Sequence, residues 1–203
     1  MQTHAAGARR RQSSGPTAED SFTEAANTNL GTHTLDSGGG WSGSASGSQV
    51  EGGTGLLRAA NTGPYRNWVD LGAGNPTLVS PLYTNNNSSS HKIGHVFRVT
   101  DQDNLLMTTI RGSAHCYIYK RDGGTETTLA WVAGLSPVPS TTTAYEFKTV
   151  ITEDLIECYW NEGLVLSHTI SGAEFATFPT TIHEAGLHIG RTSARMENWQ
   201  GWT

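Results

Sequence analysis

The chain has 203 residues, a formal net charge of −5, 35% hydrophobic residues and only 15% charged ones. That length can bury about 70% of the unfolded surface in a single core. The acidic balance, 18 Asp and Glu against 13 Lys and Arg, argues against nucleic acid as a partner, and no apolar run approaches the ~18–20 residues that cross a bilayer as a helix. Twenty-four glycines and many Ser, Thr and Asn residues mean frequent turns, and no long stretch carries a period of 3.6, so the class is all-β.

Residues 1–18 read as an extended arm ahead of one domain over 19–203. The arm is small and polar, with Arg9-Arg10-Arg11 followed by Ser13-Ser14-Gly15-Pro16, and it cannot bury enough apolar surface to fold alone. The three arginines are the candidate docking residues, meeting an acidic surface on a partner. The basic leader lacks an apolar signal-peptide core, so the protein is expected to be made in a cytoplasm and to carry no export signal.

The domain opens with Asp20-Ser21-Phe22-Thr23, Leu30-Gly31-Thr32-His33-Thr34 and Asp36-Ser37-Gly38-Gly39-Gly40-Trp41, then short strands around Val50, Leu57 and Tyr65–Leu71. Asn75-Pro76, Pro81 and Thr84 through Ser90 look like a polar insertion in an exposed loop, whose Asn85, Asn86 and Asn87 offer amides suited to sugar hydroxyls. From Ile93 onward a regular meander follows: strands at Val96–Val99, Leu105–Ile110, His115–Lys120 and Glu126–Val132. A short helical turn is expected over Phe175–Pro179, and closing strands around 184–190 and 195–202.

Tyr145 to Ile170 is the clearest segment. Tyr145, Phe147, Thr149 and Ile151 alternate with Glu146 and Lys148, as a strand with one buried face requires. Glu153-Asp154 and Asn161-Glu162-Gly163 are breaks of hairpin length, with Gly163 available for positive φ. Three antiparallel strands in a row imply a second sheet covering the dry face.

The Asp-x-Phe-Thr opening, Leu-Gly-x-His-Thr, Asp-x-Gly-Gly-x-Trp and the later Phe97-Arg98-Val99-Thr100-Asp101-x-Asp103-Asn104 resemble the concanavalin A-like (LamG-like) jelly-roll domains of bacteriophage structural proteins. The resemblance spans Asp20 to Thr203. It implies a two-sheet antiparallel sandwich and, in many members, a role in sugar binding or virion assembly.

No catalytic set stands out. Glu153-Asp154-x-x-Glu157 resembles the carboxylate strand of some glucanases, but Glu153 and Glu157 lie roughly 13 Å apart at a rise of 3.3 Å per residue, whereas a retaining site needs about 5–5.5 Å. His183-Glu184 and His188 miss the spacing of a helical zinc motif, and Cys116 and Cys158 read as buried apolar residues rather than a disulfide framework. No cofactor is implied beyond a structural calcium, for which Asp20, Asp36, Asp101 and Asp103 supply oxygen ligands. Of six tryptophans, Trp160, next to the Asn161 turn, is the candidate sugar-stacking ring. The reading that follows is a non-enzymatic virion structural protein, a capsid decoration or head-spike body on the virion surface. It would be held to a capsid or other virion protein by residues 1–18 and be homo-oligomeric. The alternative is a carbohydrate-binding module or tail-associated receptor-binding protein that grips host glycans.

Overall fold

The alternation from Tyr145 to Ile170 becomes three adjacent strands of one sheet. In the computed structural model, which describes residues 15–44, 47–61, 63–84, 92–111, 114–190 and 193–203, this sheet has ten strands. It runs β14 (Gly163–Thr169), β13 (Leu155–Trp160), β12 (Tyr145–Thr152), β7 (Thr77–Tyr83), β16 (Arg195–Met196), β5 (Leu56–Ala59), β4 (Ser48–Glu51), β2 (Thr28–Asn29). Beside β16, strand β17 (Trp199–Trp202) also pairs with β7, and β1 (Ala18–Asp20) pairs with β17. The second sheet has seven strands in the order β11 (Thr125–Ala133), β10 (His115–Asp122), β9 (Asn104–Arg111), β8 (Lys92–Asp101), β15 (Glu184–Ile189), β6 (Tyr65–Asp70), β3 (Ser42–Gly43). Every strand pair is antiparallel, as in a jelly-roll sandwich. One short helix, α1 (Gly172–Thr177), is capped reciprocally by Ser171 and Glu174; it begins three residues before the expected turn.

Strand phase decides the core. Ile156, Cys158 and Trp160 of β13, with Phe147 and Ile151 of β12, face Ile93 and Phe97 of β8, Leu106 and Ile110 of β9, and Cys116 and Ile118 of β10. Both cysteines are free and buried. A polar staple crosses this core. His95 of β8 bonds Ser80 Oγ of β7 at 2.7 Å and Thr149 Oγ1 of β12 at 2.9 Å, and Thr149 is 2.7 Å from Thr108 of β9. Burial holds the His95 imidazole neutral, its pKa lowered from 6.5 to about 3.

Two expectations change. The loop read around Pro81 is in fact the central strand β7, with Leu78, Ser80 and Leu82 buried. Proline is tolerated because it falls where the partner changes: β17 pairs Thr77–Val79 and β16 takes over at Leu82. The body also starts earlier than residue 19. Ala18 is buried and pairs with Gly201, while Thr17 N donates to the Gly201 carbonyl. Residues 1–14, with Arg9, Arg10 and Arg11, lie outside the described residues, as do Asn85, Asn86 and Asn87.

Because the folded pKa of His95 is depressed, its stabilisation is complete above the unfolded value near 6.5 and is lost as pH falls toward 3. In denaturant titrations, the excess stability of wild type over His95→Gln should shrink by roughly 1 kcal/mol or slightly more per pH unit between about pH 6 and pH 5. A pH-independent difference would contradict the neutral, buried staple.

Candidate functional site: the concave face of the seven-stranded sheet

Strands β11 and β6 are separated by four others, roughly 24 Å across a flat sheet. Yet Glu126 Oε1 of β11 accepts from Arg66 Nη2 of β6 at 2.9 Å, and Glu126 Oε2 lies 2.5 Å from Lys92 Nζ of β8. Arginine and glutamate side chains cannot bridge a flat sheet of that width, so the sheet is curved, with its outward face on the inside of the bend. Gly94 of β8 and Gly186 of β15 sit mid-sheet, where the curvature presses backbones together. A Cβ at Gly94 would collide with the Thr108 carbonyl oxygen, and one at Gly186 with that of Asn67.

Cross-strand pairing lays a continuous row along this face: Arg66, His188, Gly94, Thr109, Tyr117, Trp131. A second row runs Trp68, Gly186, Val96, Met107, Tyr119, Thr128. Val96, Met107 and Tyr119, with Val99 and Leu105, form an apolar floor against which Trp68 and Tyr117 pack. At one end the floor rises into aromatic rings. Trp131 is 57% exposed; its ring centroid lies 5.7 Å from His115 and 6.1 Å from Tyr117, and Tyr117 stacks on Tyr119 at 5.2 Å. The Arg111 guanidinium sits 4.9 Å from the Tyr117 ring and Lys92 Nζ 4.5 Å from the Tyr119 ring. At the other end are the Glu126 ion pairs. Arg121 bonds Asp103 at 2.8 Å and approaches Glu126 at 3.7 Å. Burial alone would raise the Glu126 carboxyl, but Lys92, Arg66 and Arg121 outweigh it and hold it below the usual range. Burial pushes Tyr119 up to about 12. Burial, then the Arg66, Lys92 and Arg121 charges, push His188 well below the ordinary histidine value.

The residues singled out in the sequence fall elsewhere. Trp160 is 1% exposed; it donates Nε1–H to the Pro137 carbonyl at 2.6 Å and packs on Tyr145 and Phe147. It is a core residue and no stacking platform, because it shares strand phase with Ile156 and Cys158. Asn161 forms the β13–β14 turn: it and Glu162 have φ of 47° and 71°, and Gly163 instead opens β14 opposite Trp160. Glu153 also has a positive φ, 49°, in the β12–β13 turn, away from the concave face.

The four aspartates do not gather. Asp101 caps its own turn, accepting from Asp103 N and Asn104 Nδ2, while Asp103 pairs with Arg121. Asp20 accepts from Phe22 N at 2.8 Å and Trp41 Nε1 at 2.7 Å and is 2.7 Å from His33 Nε2; His33 Nδ1 is 2.8 Å from Glu24. Asp36 accepts from Ser21 N and lines a cleft of about 80 Å³ with Asp20. Among the described residues, no group of three or more His, Cys, Asp or Glu is placed to hold a metal ion. Burial raises the Asp20 pKa, but its oxygens are occupied by these protein partners, so its place is structural.

The signal for Trp131 was in the sequence. Ala130 and Val132 pack on the core, so the ring between them must point away from it. Tyr117 and Tyr119 stand in the same relation to Cys116 and Ile118. Arg66 and His188 carried no such signal, because only the register brings them together.

The chain is a concanavalin- and galectin-like jelly-roll β-sandwich. No protein-family model matches it, and no curated protein does. Solved structures do. It is similar to the carbohydrate binding module CBM66 from Bacillus subtilis at 16% identity, with a TM-score of 0.57 over 89% of this chain and 98% of that one. The GH43 BlXynB protein from Bacillus licheniformis matches at 14% identity with a TM-score of 0.62, over 91% of this chain but 39% of its own length. A protein of unknown function with a galectin-like fold from Bacillus subtilis matches at 12% identity and 0.52, over 72% and 81%. At these identities the likeness establishes the fold alone.

Replacing the two tryptophans separates their roles. Trp160→Ala should cost about 3–5 kcal/mol of unfolding free energy. Trp131→Ala should change it by under about 1 kcal/mol, since a largely exposed ring buries little on folding. Equal losses would contradict the assignment.

Proposed function

We propose that the protein is a non-catalytic carbohydrate-binding sandwich that holds saccharides on the concave face of the seven-stranded sheet, with Trp131 as the stacking ring. The observation that carries this reading is the exposed Trp131 ring beside Tyr117 and His115, on a face whose floor is apolar and whose polar groups converge from Arg66, Lys92 and Glu126. Such a face combines an apolar surface with a few placed polar groups, as small-ligand sites do. The likeness to a carbohydrate binding module over nearly the whole of both chains supports it. A glycosidase reading finds less support: it needs a pair of carboxyl groups with one held protonated, whereas cations draw Glu126 below the usual range and Asp103 is paired with Arg121.

A sugar-gripping body of this kind is compatible with display on a particle. In that extension, Arg9, Arg10 and Arg11 dock the arm on a capsid or tail protein of a virion. The support for it is confined to the sequence of residues 1–18 and the resemblance to bacteriophage structural domains.

On a glycan array, wild type should retain saccharides that Trp131→Ala loses by at least about tenfold in affinity, the effect of removing an aromatic anchor. An absence of any binder at millimolar concentration, or undiminished binding by the variant, would contradict the proposal.

A further inference from the structure

The charged end of the concave face is not balanced. Arg66, Lys92 and Arg121 all converge on the single Glu126 carboxylate, and the other carboxylate in reach, Asp103, is paired with Arg121, acts on Arg66 from further off and is largely exposed. Three cations thus face two carboxylates, with the Arg111 guanidinium a short way along on Tyr117. This excess of positive charge sits on a chain whose overall charge is −5.

Hydrogen bonding is incomplete at the same place. His188 is fully buried, and neither Nδ1 nor Nε2 has a hydrogen-bond partner among the described residues; Arg66 Nε, on the neighbouring strand, also has none. Pairing sets His188 directly opposite Arg66 on one side and opposite Gly94 on the other. Buried polar atoms are seldom left without partners, and a neutral imidazole carries one N–H donor that an oxygen of an anion can accept. Glu126 itself shows what the cluster accepts: a carboxylate held by one arginine N–H and a lysine. The aromatic end of the same row is only a few strands away, within one saccharide chain's reach.

Resting on the carbohydrate reading, we propose that this end of the concave face is an anion subsite, and that the saccharide it selects is acidic. The sugar ring stacks on Trp131 and Tyr117, while a carboxylate or sulfate on the same chain joins Arg66, Lys92 and Arg121 beside His188, with Glu126 as the built-in counter-ion it displaces or shares. The rest of the chain's negative charge does not prevent this, since screening confines charge effects to about 8–10 Å.

The test is calorimetric titration of the full chain with uronate oligosaccharides, each beside its methyl-esterified twin, and with sulfated oligosaccharides, each beside its desulfated twin. The acidic form of at least one pair should bind about tenfold or more tighter than its neutral twin, with that preference shrinking as salt rises. The winning arm identifies carboxylate or sulfate. Lys92→Gln should cost the acidic form about tenfold more affinity than it costs the neutral twin, collapsing the preference between them. Arg121→Gln, whose parent side chain is also partly exposed, serves if the lysine variant fails to fold. Equal affinity for acidic and neutral twins, both sensitive to Trp131→Ala, would overturn the anion subsite and leave carbohydrate binding standing. Binding of neither twin in any pair, alongside a blank glycan array, would overturn both.

Discussion

Glu126 reaches from an edge strand to Lys92 in the middle and Arg66 toward the far side of its own sheet, and the shape of the functional face depends on that contact. It is possible only if the seven-stranded sheet bends. The bend in turn requires glycine at 94 and 186, where neighbouring backbones close in. Partly buried ion pairs of this kind are weak sources of net stability but costly to break on one side. Their effect here is geometric: they fix the curvature under which the apolar floor, the aromatic rings and the cationic end share one surface.

Two further polar arrangements hold the frame. The His95–Ser80–Thr149–Thr108 network ties the sheets through the middle of an otherwise apolar core, fixing their relative register where hydrophobic packing alone permits sliding. At the domain's entrance, Asp20 collects Phe22 N, His33 and Trp41, and Trp41 packs edge-on against Trp199 of β17 at 5.1 Å. The Asp-x-Phe, His and Trp positions that carry the family resemblance are therefore the residues that join the start of the chain to its last strand. Their role is in the architecture, and the resemblance they create reports fold more than function.

Much of the fold was legible, because strand phase is a local property. The β12–β13–β14 meander and both its turns follow from alternation and polar breaks. The same rule, applied to Trp160, would have placed it with Ile156 and Cys158 in the core, and applied to Trp131 would have turned it outward. Proximity to a polar turn was a poorer guide than phase. Strand β7 was hidden by Pro81, since a proline argues against a central strand unless the partner changes beside it, and that change is set by residues more than a hundred positions away. The anion end was not legible for the same reason. Arg66, Lys92, Arg121, Glu126 and His188 come from five strands, and only the strand order and curvature bring them together.

The most direct test of the account is a map of where a bound saccharide perturbs the labelled protein, followed by backbone amide and tryptophan indole resonances. Shifts concentrated at the Trp131 indole and at the amides of Tyr117, Thr109, Gly94 and His188, in line across the seven-stranded sheet, are the predicted result. Shifts confined to the outer side of the ten-stranded sheet around Lys148 and Tyr159, with Trp131 silent, would contradict the assignment of the concave face as the binding surface.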